Sequence, residues 1–303
     1  MFELRQYSLL FITALIWGSG FIGQKLGMEH VSPFTFTFFR TLIGALFLVP
    51  FILVLSKVQK NGTSFLRRSS RKDLFLGSLA CGLCLIAAES FQQFGLVYTD
   101  VSKASFITAL YIIFVPLISV IIGKKISLKI WFSVALSVVG LYFLCMKGSF
   151  TLSLGDLLVL ICAIIFAVHI LVISYFVARV DGLMLSCGQF FAASFFGLIA
   201  MLIDGVPSAE ALKLAAPAFI YCGIMSNGIA YTLQVIGQRG INAAIATLIM
   251  SLESVLGAIL GVIFLDEHMS HKEIIGAIIM FSAVIIAQTP TKHILKGSRT
   301  QRS

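Results

Sequence analysis

Charged residues are scarce in this sequence of 303 residues: they make up 12% of it, whereas hydrophobic residues make up 59%. Soluble domains carry about a quarter charged residues. Long polar segments are also lacking, because the longest polar interval, Ser56 to Asp73, is too short to bury a hydrophobic core. The composition therefore excludes a water-soluble protein and indicates one that is embedded in a lipid bilayer.

Motifs that would indicate an enzyme or an ATP-driven pump are missing as well. The sequence has no His-Glu-x-x-His, no Gly-x-Ser-x-Gly and no paired aspartates at mid-depth, which argues against an intramembrane protease or lipid-modifying transferase. It has no Gly-x-x-x-x-Gly-Lys-Ser/Thr loop for nucleotide phosphates. Cys81 and Cys84 share a helix face, but no second pair accompanies them, so no metal or other cofactor is predicted.

The excess of positive charge, formally +9, is a topology signal rather than a nucleic-acid site. Lysines and arginines lie in short segments between apolar runs, and most of them fall on one side of the membrane if the N-terminus is cytoplasmic. Arg71, Lys72, Lys124 and Lys125 are examples. The sequence therefore predicts that both termini are cytoplasmic and that no nucleic acid is bound.

Ten apolar runs, each near the roughly 20 residues that a helix needs to cross a bilayer, predict ten membrane-spanning helices. The alternating pattern of a membrane β-barrel is absent. We number these helices span one to span ten. Their predicted bounds are Tyr7–Gln24, Pro33–Leu55, Leu74–Phe94, Lys103–Ile122, Ile130–Met146, Gly155–Ala178, Leu183–Ile203, Ala215–Ile236, Ala243–Leu265 and Glu273–Gln288.

Span nine is the clearest evidence for two repeats. It carries a single carboxylate, Glu253, near its middle, where a charged group is costly and therefore rare. Span four repeats its layout 142 positions earlier, with Tyr111 falling where Glu253 lies. The sequence therefore predicts two repeats of five spans, residues 1–148 and 149–303. Because five is odd, the second repeat is inverted, as in many secondary transporters with a binding site at mid-membrane.

Several motifs are similar to those of a known family. They are Trp17-Gly-Ser-Gly-Phe21 in span one, Phe38-Phe-Arg40 in span two, Ala104 to Pro116 in span four, Leu252-Glu253 in span nine, and Leu265-Asp266-Glu267 with Ser270 before span ten. The chain resembles the EamA branch of the drug/metabolite transporter superfamily over essentially its whole length. It departs from the usual pattern at Lys124-Lys125, where relatives often have Gly-Glu, and at Ser254, where many have Pro.

The resemblance implies an all-α membrane protein in which spans five and ten are peripheral and the other eight surround a cavity. It implies a secondary-active or facilitative transporter of small organic metabolites, typically amino acids or related zwitterionic or cationic compounds, in the bacterial inner membrane. The expected partners are the substrate, protons and the lipid bilayer, with the chain acting as a monomer or homodimer. The alternatives are an exchanger or importer of nucleoside-type or S-adenosylmethionine-type cargo and, more remotely, an intramembrane enzyme or a channel.

Four side chains lie near mid-depth in spans that the resemblance places around the cavity: Trp17, Tyr111, His169 and Glu253. Glu253 is expected to bind a proton or a cation, or alternatively to form a structural hydrogen bond to a neighbouring helix. His169 suits a proton relay or a contact with an anionic substrate, but a membrane histidine also serves as an interhelical donor. Trp17 and Tyr111 suit stacking or cation–π contact with cargo, with simple packing as the alternative.

The remaining candidates are polar residues in spans two, three and eight. Arg40 is expected to clamp a substrate carboxylate or, in a structural role, to snorkel to the outer headgroups or pair with an acidic neighbour. Two polar patches complete the set: Glu89 and Gln92 in span three, and Asn227, Tyr231 and Gln234 in span eight. With inverted repeats, we expect these patches to line the two opposite mouths of the transport path.

Overall fold

A computed structural model describes residues 2–60, 70–145, 153–265 and 269–289. All regular structure in these ranges is helical, and ten of their helices are long and apolar enough to cross a membrane, which confirms the predicted fold class. In chain order the spans are Phe2–Gly27, Pro33–Lys60, Arg71–Tyr98, Val101–Ala109 with Tyr111–Ile121, Leu128–Cys145, Leu154–Phe176, Gly182–Asp204, Ala209–Tyr221 with Cys222–Tyr231 and Thr232–Gly237, Ala243–Met250 with Glu253–Leu265, and His271–Gln288.

Polar residues at the helix starts explain where several spans begin. Ser153 caps span six and forms a capping box with Asp156, and Ser270 does the same for span ten with Glu273. Pro33 is the first residue of span two, where an amide hydrogen would have no helical partner in any case. Such caps satisfy amide groups that the first helical turn leaves unpaired. These helix starts are therefore set by local sequence.

Spans four and nine are broken at equivalent positions, whereas the sequence predicted two continuous helices. Span four is interrupted at Leu110 and span nine at Ser251 and Leu252, and Leu110 and Leu252 are equivalent residues of the two repeats. The helix continues through Pro116, so this proline does not cause the break in span four. Ala258 occupies the equivalent position in span nine, so a proline is not required for the break. Paired broken helices are typical of transporter binding sites.

Span eight contains a π-helical segment, Cys222–Tyr231, between two α-helical segments. Such segments are rare, and they occur often at functional sites. This one carries Asn227 and Tyr231, two of the predicted site residues. It also lies close to span two: a Cβ atom added to Gly44 would be 2.8 Å from the Cβ of Asn227. The close approach brings the polar residues of span eight to Arg40.

The two repeats pack in matching pairs, span three on span six and span one on span eight. Both contacts depend on a glycine, and the two glycines are equivalent. A Cβ atom on Gly95 would lie 3.0 Å from the carbonyl oxygen of Gly155, and one on Gly237 would lie 3.3 Å from that of Gln6. Spans five and ten pack against each other. The matched contacts are those expected of two related halves.

Some predicted features lie outside the described residues. They are the junction between the predicted repeats at residues 148 and 149, the motif Asp266-Glu267, and basic residues such as Arg67 and Arg68. The position of that junction and the side of the membrane on which the termini lie therefore stay predictions.

Candidate functional site

A small cavity lies at the centre of the bundle, beside the breaks of spans four and nine. Its volume is about 40 Å³, which is enough for a few water molecules. Seven of the ten predicted site residues line it: Trp17, Arg40, Gln92, Tyr111, Tyr231, Gln234 and Glu253. The other lining residues are Phe21, Gln24, Thr108, Phe166, Ile170 and Ser226.

Tyr111 and Glu253, which begin the second halves of the two broken spans, contact each other at the cavity wall. The Tyr111 hydroxyl donates to Oε1 of Glu253 at 3.5 Å, and the two residues are only 3% and 4% exposed. Beside them the hydroxyl oxygens of Ser105 and Ser254 are 2.8 Å apart. Within the described residues Glu253 takes part in no ion pair. No cationic side chain there offsets a negative charge on Glu253.

Arg40 is held inside the bundle by two other candidates. Its Nη2 lies 2.9 Å from Oε1 of Glu89, and its Nε donates to Oδ1 of Asn227 at 2.9 Å. Asn227 in turn donates through Nδ2 to Oε1 of Glu89 at 3.3 Å. Spans two, three and eight are thus joined by one buried polar cluster. Nη1 of Arg40 has no partner within the described residues.

Of the two structural roles expected for Arg40, pairing with an acidic neighbour is the one observed: it is 2% exposed and bound to Glu89 and Asn227, so it does not snorkel to the headgroups. The expectation for the two polar patches is wrong. The patches of spans three and eight do not lie at opposite mouths, because Glu89 and Asn227 share a hydrogen bond. Both of these residues lie behind the cavity wall and contact Arg40, which does line the cavity.

Gln92 and Gln234 are equivalent residues of the two repeats and line the same cavity. Gln92 donates to the hydroxyl of Thr108 at 3.2 Å. Oε1 of Gln234, Oε1 of Gln24 and Nε1 of Trp17 are buried without a partner within the described residues. Leaving such groups unpaired costs about 1–3 kcal/mol each. Together with Nη1 of Arg40, these atoms provide two acceptors and two donors for a polar solute.

Tyr231 is the centre of a group of aromatic rings. Its ring centroid is 4.7 Å from that of Trp17, 6.1 Å from that of His169 and 6.2 Å from that of Phe190. His169 does not line the cavity, since it lies behind Tyr231 and is fully buried. Its Nε2 is 3.0 Å from Oε1 of Gln189. In this conformation the histidine thus makes an interhelical contact between spans six and seven.

Different contacts close the bundle at the two ends of the cavity. At one end Nζ of Lys103 lies 2.5 Å from Oδ2 of Asp156 at the start of span six. At the other end Gln6 donates through Nε2 to the backbone carbonyls of Ile236 and Arg239, at 2.7 Å and 2.9 Å. The first contact joins spans four and six, and the second joins spans one and eight, which also meet at Gly237. An ion pair therefore closes one end, and hydrogen bonds between uncharged groups close the other.

Six lining residues were not identified from the sequence. Gln24 had a usable signal, because an amide within an apolar run is costly to leave unpaired, and Ser226 adjoins Asn227. Phe166 and Ile170 had none, because they are apolar residues of an apolar span. Among the described residues, no group of three or more His, Cys, Asp or Glu side chains is placed to hold a metal ion.

Comparison with known proteins gives matches over nearly the whole chain. The profile of the EamA-like transporter family matches residues 4–146 and 153–289. An uncharacterised transporter of Archaeoglobus fulgidus is 32% identical over 282 residues, which cover 91% of this chain and 83% of the relative. The uncharacterised transporter YoaV of Bacillus subtilis is 23% identical over 278 residues, with coverages of 90% and 92%. One crystal structure has the same fold, with a TM-score of 0.74, 19% identity and coverages of 93% and 96%.

Proposed function

Because this chain belongs to the EamA-like transporter family, we propose that it carries a small zwitterionic or cationic metabolite, an amino acid or a related compound, across the membrane by alternating access. Family membership establishes a multi-pass membrane transporter with a small-molecule substrate. Beyond that, we propose the class of cargo, the coupling to protons and the mechanism of alternating access.

The observation that carries this proposal is the pair of opposite charges on the wall of one cavity. Arg40 contributes an unpartnered Nη1, and Glu253 contributes a carboxyl group with no ion-pair partner among the described residues. A zwitterion complements both, because its carboxylate binds a guanidinium and its ammonium group binds a carboxylate. The rings of Trp17 and Tyr111 favour a cationic group by cation–π contact.

The small size of the cavity supports a mechanism with conformational change. Sites for organic ligands typically have about 300–1,000 Å³, whereas the space here is about 40 Å³. Contacts of Lys103 with Asp156 and of Gln6 with span eight close the two ends. We infer that this conformation is occluded and that opening one contact at a time gives access from one side. The breaks at Leu110 and Leu252 serve as joints for this motion.

We assign proton coupling to Glu253 and positioning roles to the residues behind the wall. A neutral carboxyl is less costly than a carboxylate in an apolar site, so proton binding and cation binding at Glu253 compete. His169 positions Tyr231, and Glu89 together with Asn227 positions Arg40. Gln92 and Gln234 then supply polar contacts from both repeats.

The remaining parts of the proposal concern topology and assembly. We propose that the repeats divide at residues 148 and 149, that both termini are cytoplasmic and that the protein resides in a bacterial inner membrane. The basic segments of the sequence support this orientation. The chain acts as a monomer or a homodimer.

Uptake of a mixed metabolite pool into proteoliposomes tests the proposal. Three conditions are compared, an acidic lumen, an acidic exterior and equal pH, for the wild type and Glu253→Gln. We expect amino acids or related cations to accumulate in the wild type under one gradient only, an acidic lumen indicating exchange for protons and an acidic exterior indicating co-transport. Uptake that ignores both the gradient and Glu253 contradicts proton coupling. Absence of uptake of any solute contradicts the function itself.

A further inference from the structure

An apolar groove runs along the outer face of span one, separate from the transport cavity. It consists of two adjoining hollows of about 450 and 470 Å³. Ser19, Ile22 and Tyr221 line both hollows, so the two form a single groove. Spans eight and nine provide the opposite walls. Each hollow is within the size range of sites that hold organic ligands.

The dimensions of the groove fit a lipid acyl chain. Along span one it extends from Leu15 to Glu29, which is about 20 Å at 1.5 Å per residue. One leaflet of a bilayer has a hydrocarbon thickness of about 15 Å, so the groove is long enough for one chain and the start of its headgroup. Its main polar feature within the membrane is the hydroxyl pair of Ser19 and Tyr221, whose oxygens are 2.6 Å apart and satisfy each other.

We propose that this groove binds a phospholipid whose headgroup carries an ammonium group, of which phosphatidylethanolamine is the common example. Lipid tails are as apolar as the walls of the groove, so the tail alone provides no selectivity over the surrounding bilayer. Selectivity among lipid headgroups therefore arises at the open end of the groove. There the exposed carboxylate of Glu29 lines the groove beside His30 and attracts an ammonium group while it repels an anionic headgroup.

The inner end of the groove lies against the joint of span nine. Gly18 and Gly257 form part of its floor, and a Cβ atom on Gly18 would be 2.7 Å from the amide nitrogen of Gly257 and 2.8 Å from the carbonyl oxygen of Glu253. A bound acyl chain therefore contacts spans one and nine close to the break in span nine. This inference concerns lipid binding alone and does not depend on the proposed cargo or coupling.

Native mass spectrometry of the purified full chain, stripped of lipid and then titrated with phosphatidylethanolamine or phosphatidylglycerol of identical chains, tests the groove. Ile22→Trp fills the groove where its two hollows adjoin. Ile12→Trp is the matched control, because Ile12 lies on the same helix, is 41% exposed compared with 42% for Ile22, and lies outside the groove. We expect the wild type and Ile12→Trp to retain one phosphatidylethanolamine and Ile22→Trp to lose it. Equal retention by all three proteins overturns the proposal.

The headgroup is tested with Glu29→Gln, and Asp204→Asn is the control because it removes an exposed acid from the end of span seven. An exposed ion pair supports a preference of about two- to fivefold. We expect the wild type and Asp204→Asn to prefer phosphatidylethanolamine over phosphatidylglycerol by that factor, and Glu29→Gln to bind both equally. The same affinity for both lipids in the wild type, or an unchanged preference in Glu29→Gln, overturns the assignment of the headgroup.

Discussion

The hydroxyl of Tyr111 lies 3.5 Å from Oε1 of Glu253, and these residues occupy equivalent positions, 142 residues apart, in the two repeats. Equivalent residues of two related halves touch only near the axis that relates them. Both helices break immediately before these residues, and the cavity forms there. Because one repeat contributes a phenol and the other a carboxylic acid, a nearly symmetric scaffold has a chemically asymmetric centre.

Glu253→Gln tests the proton-coupling role. Glutamine keeps the size of the side chain and can still accept a hydrogen bond from Tyr111, but it cannot take up or release a proton. We expect accumulation driven by the pH gradient to fall at least tenfold, about 1.4 kcal/mol of coupling, while exchange at equal pH persists with weaker substrate affinity, because the variant also lacks the carboxylate that binds the ammonium group. The measurement is the initial rate of uptake into proteoliposomes. Glu210→Gln, a change at an exposed residue of span eight, serves as the control. If Glu253→Gln accumulates substrate under the pH gradient as strongly as the wild type, Glu253 has no role in proton coupling.

The buried cluster around Arg40 predicts a non-additive pattern of stability. Glu89→Leu leaves the guanidinium buried without its carboxylate, and Arg40→Met leaves the carboxylate without its cation. Each change should destabilise the protein by about 3–5 kcal/mol, whereas the double variant should be more stable than either single one, because no uncompensated charge remains. Unfolding midpoints in detergent measure the effect. Additive losses in the double variant would show that the pair is not coupled.

The contact between spans one and nine predicts different effects at two neighbouring glycines. A Cβ atom on Gly18 meets backbone atoms of Gly257 and Glu253 within 3 Å, whereas the nearest atom to one on Gly20 is 3.8 Å away. Gly18→Ala must therefore separate the helices and should cost about 1–3 kcal/mol. Gly20→Ala should be neutral or stabilising by up to about 1 kcal/mol, because alanine favours the helix. Equal unfolding midpoints for both variants would contradict the close contact.

The ion pair of Lys103 and Asp156 predicts that its loss opens one end of the cavity. In a variant without native cysteines, Thr108→Cys reports access to the cavity wall through its rate of reaction with a membrane-impermeant thiol reagent. Lys103→Met should raise that rate by up to about fivefold, the effect of a partly exposed ion pair worth about 1 kcal/mol. Lys213→Met, at an exposed residue of span eight, should leave the rate unchanged. Equal rates in all backgrounds would exclude the ion pair as a closing contact.

The number and order of the spans could be predicted because a spanning helix is encoded by its own length and apolarity. The ends were less accurate where a helix continues into polar sequence. Span eight begins at Ala209, capped by Ser208, and not at the predicted Ala215, because Glu210 and Lys213 are compatible with a helix that extends beyond the hydrocarbon region. Apolarity reports the membrane-embedded part of a helix and not its whole length.

The candidate site was predictable to the extent that its residues are polar within apolar runs. Glu253 and Arg40 stand out because each is costly in lipid. Their partners do not follow from the same argument, because the cost of a polar side chain in lipid does not indicate which neighbour forms its hydrogen bonds. Phe166 and Ile170 line the cavity and have no distinguishing feature in an apolar span. Such residues become visible only when the rotation of each helix is known.

The sequence by itself determined that this is a membrane protein of ten helical spans in two repeats, with one carboxylic acid at mid-depth of span nine. Only the tertiary structure decided that Arg40 pairs with Glu89, that spans four and nine break before Tyr111 and Glu253, and that these two residues meet. The physical reason is that apolarity and helix caps are local properties. Contacts between spans depend on the rotation and depth of helices that are apolar on every side, so no hydrophobic face in the sequence specifies them.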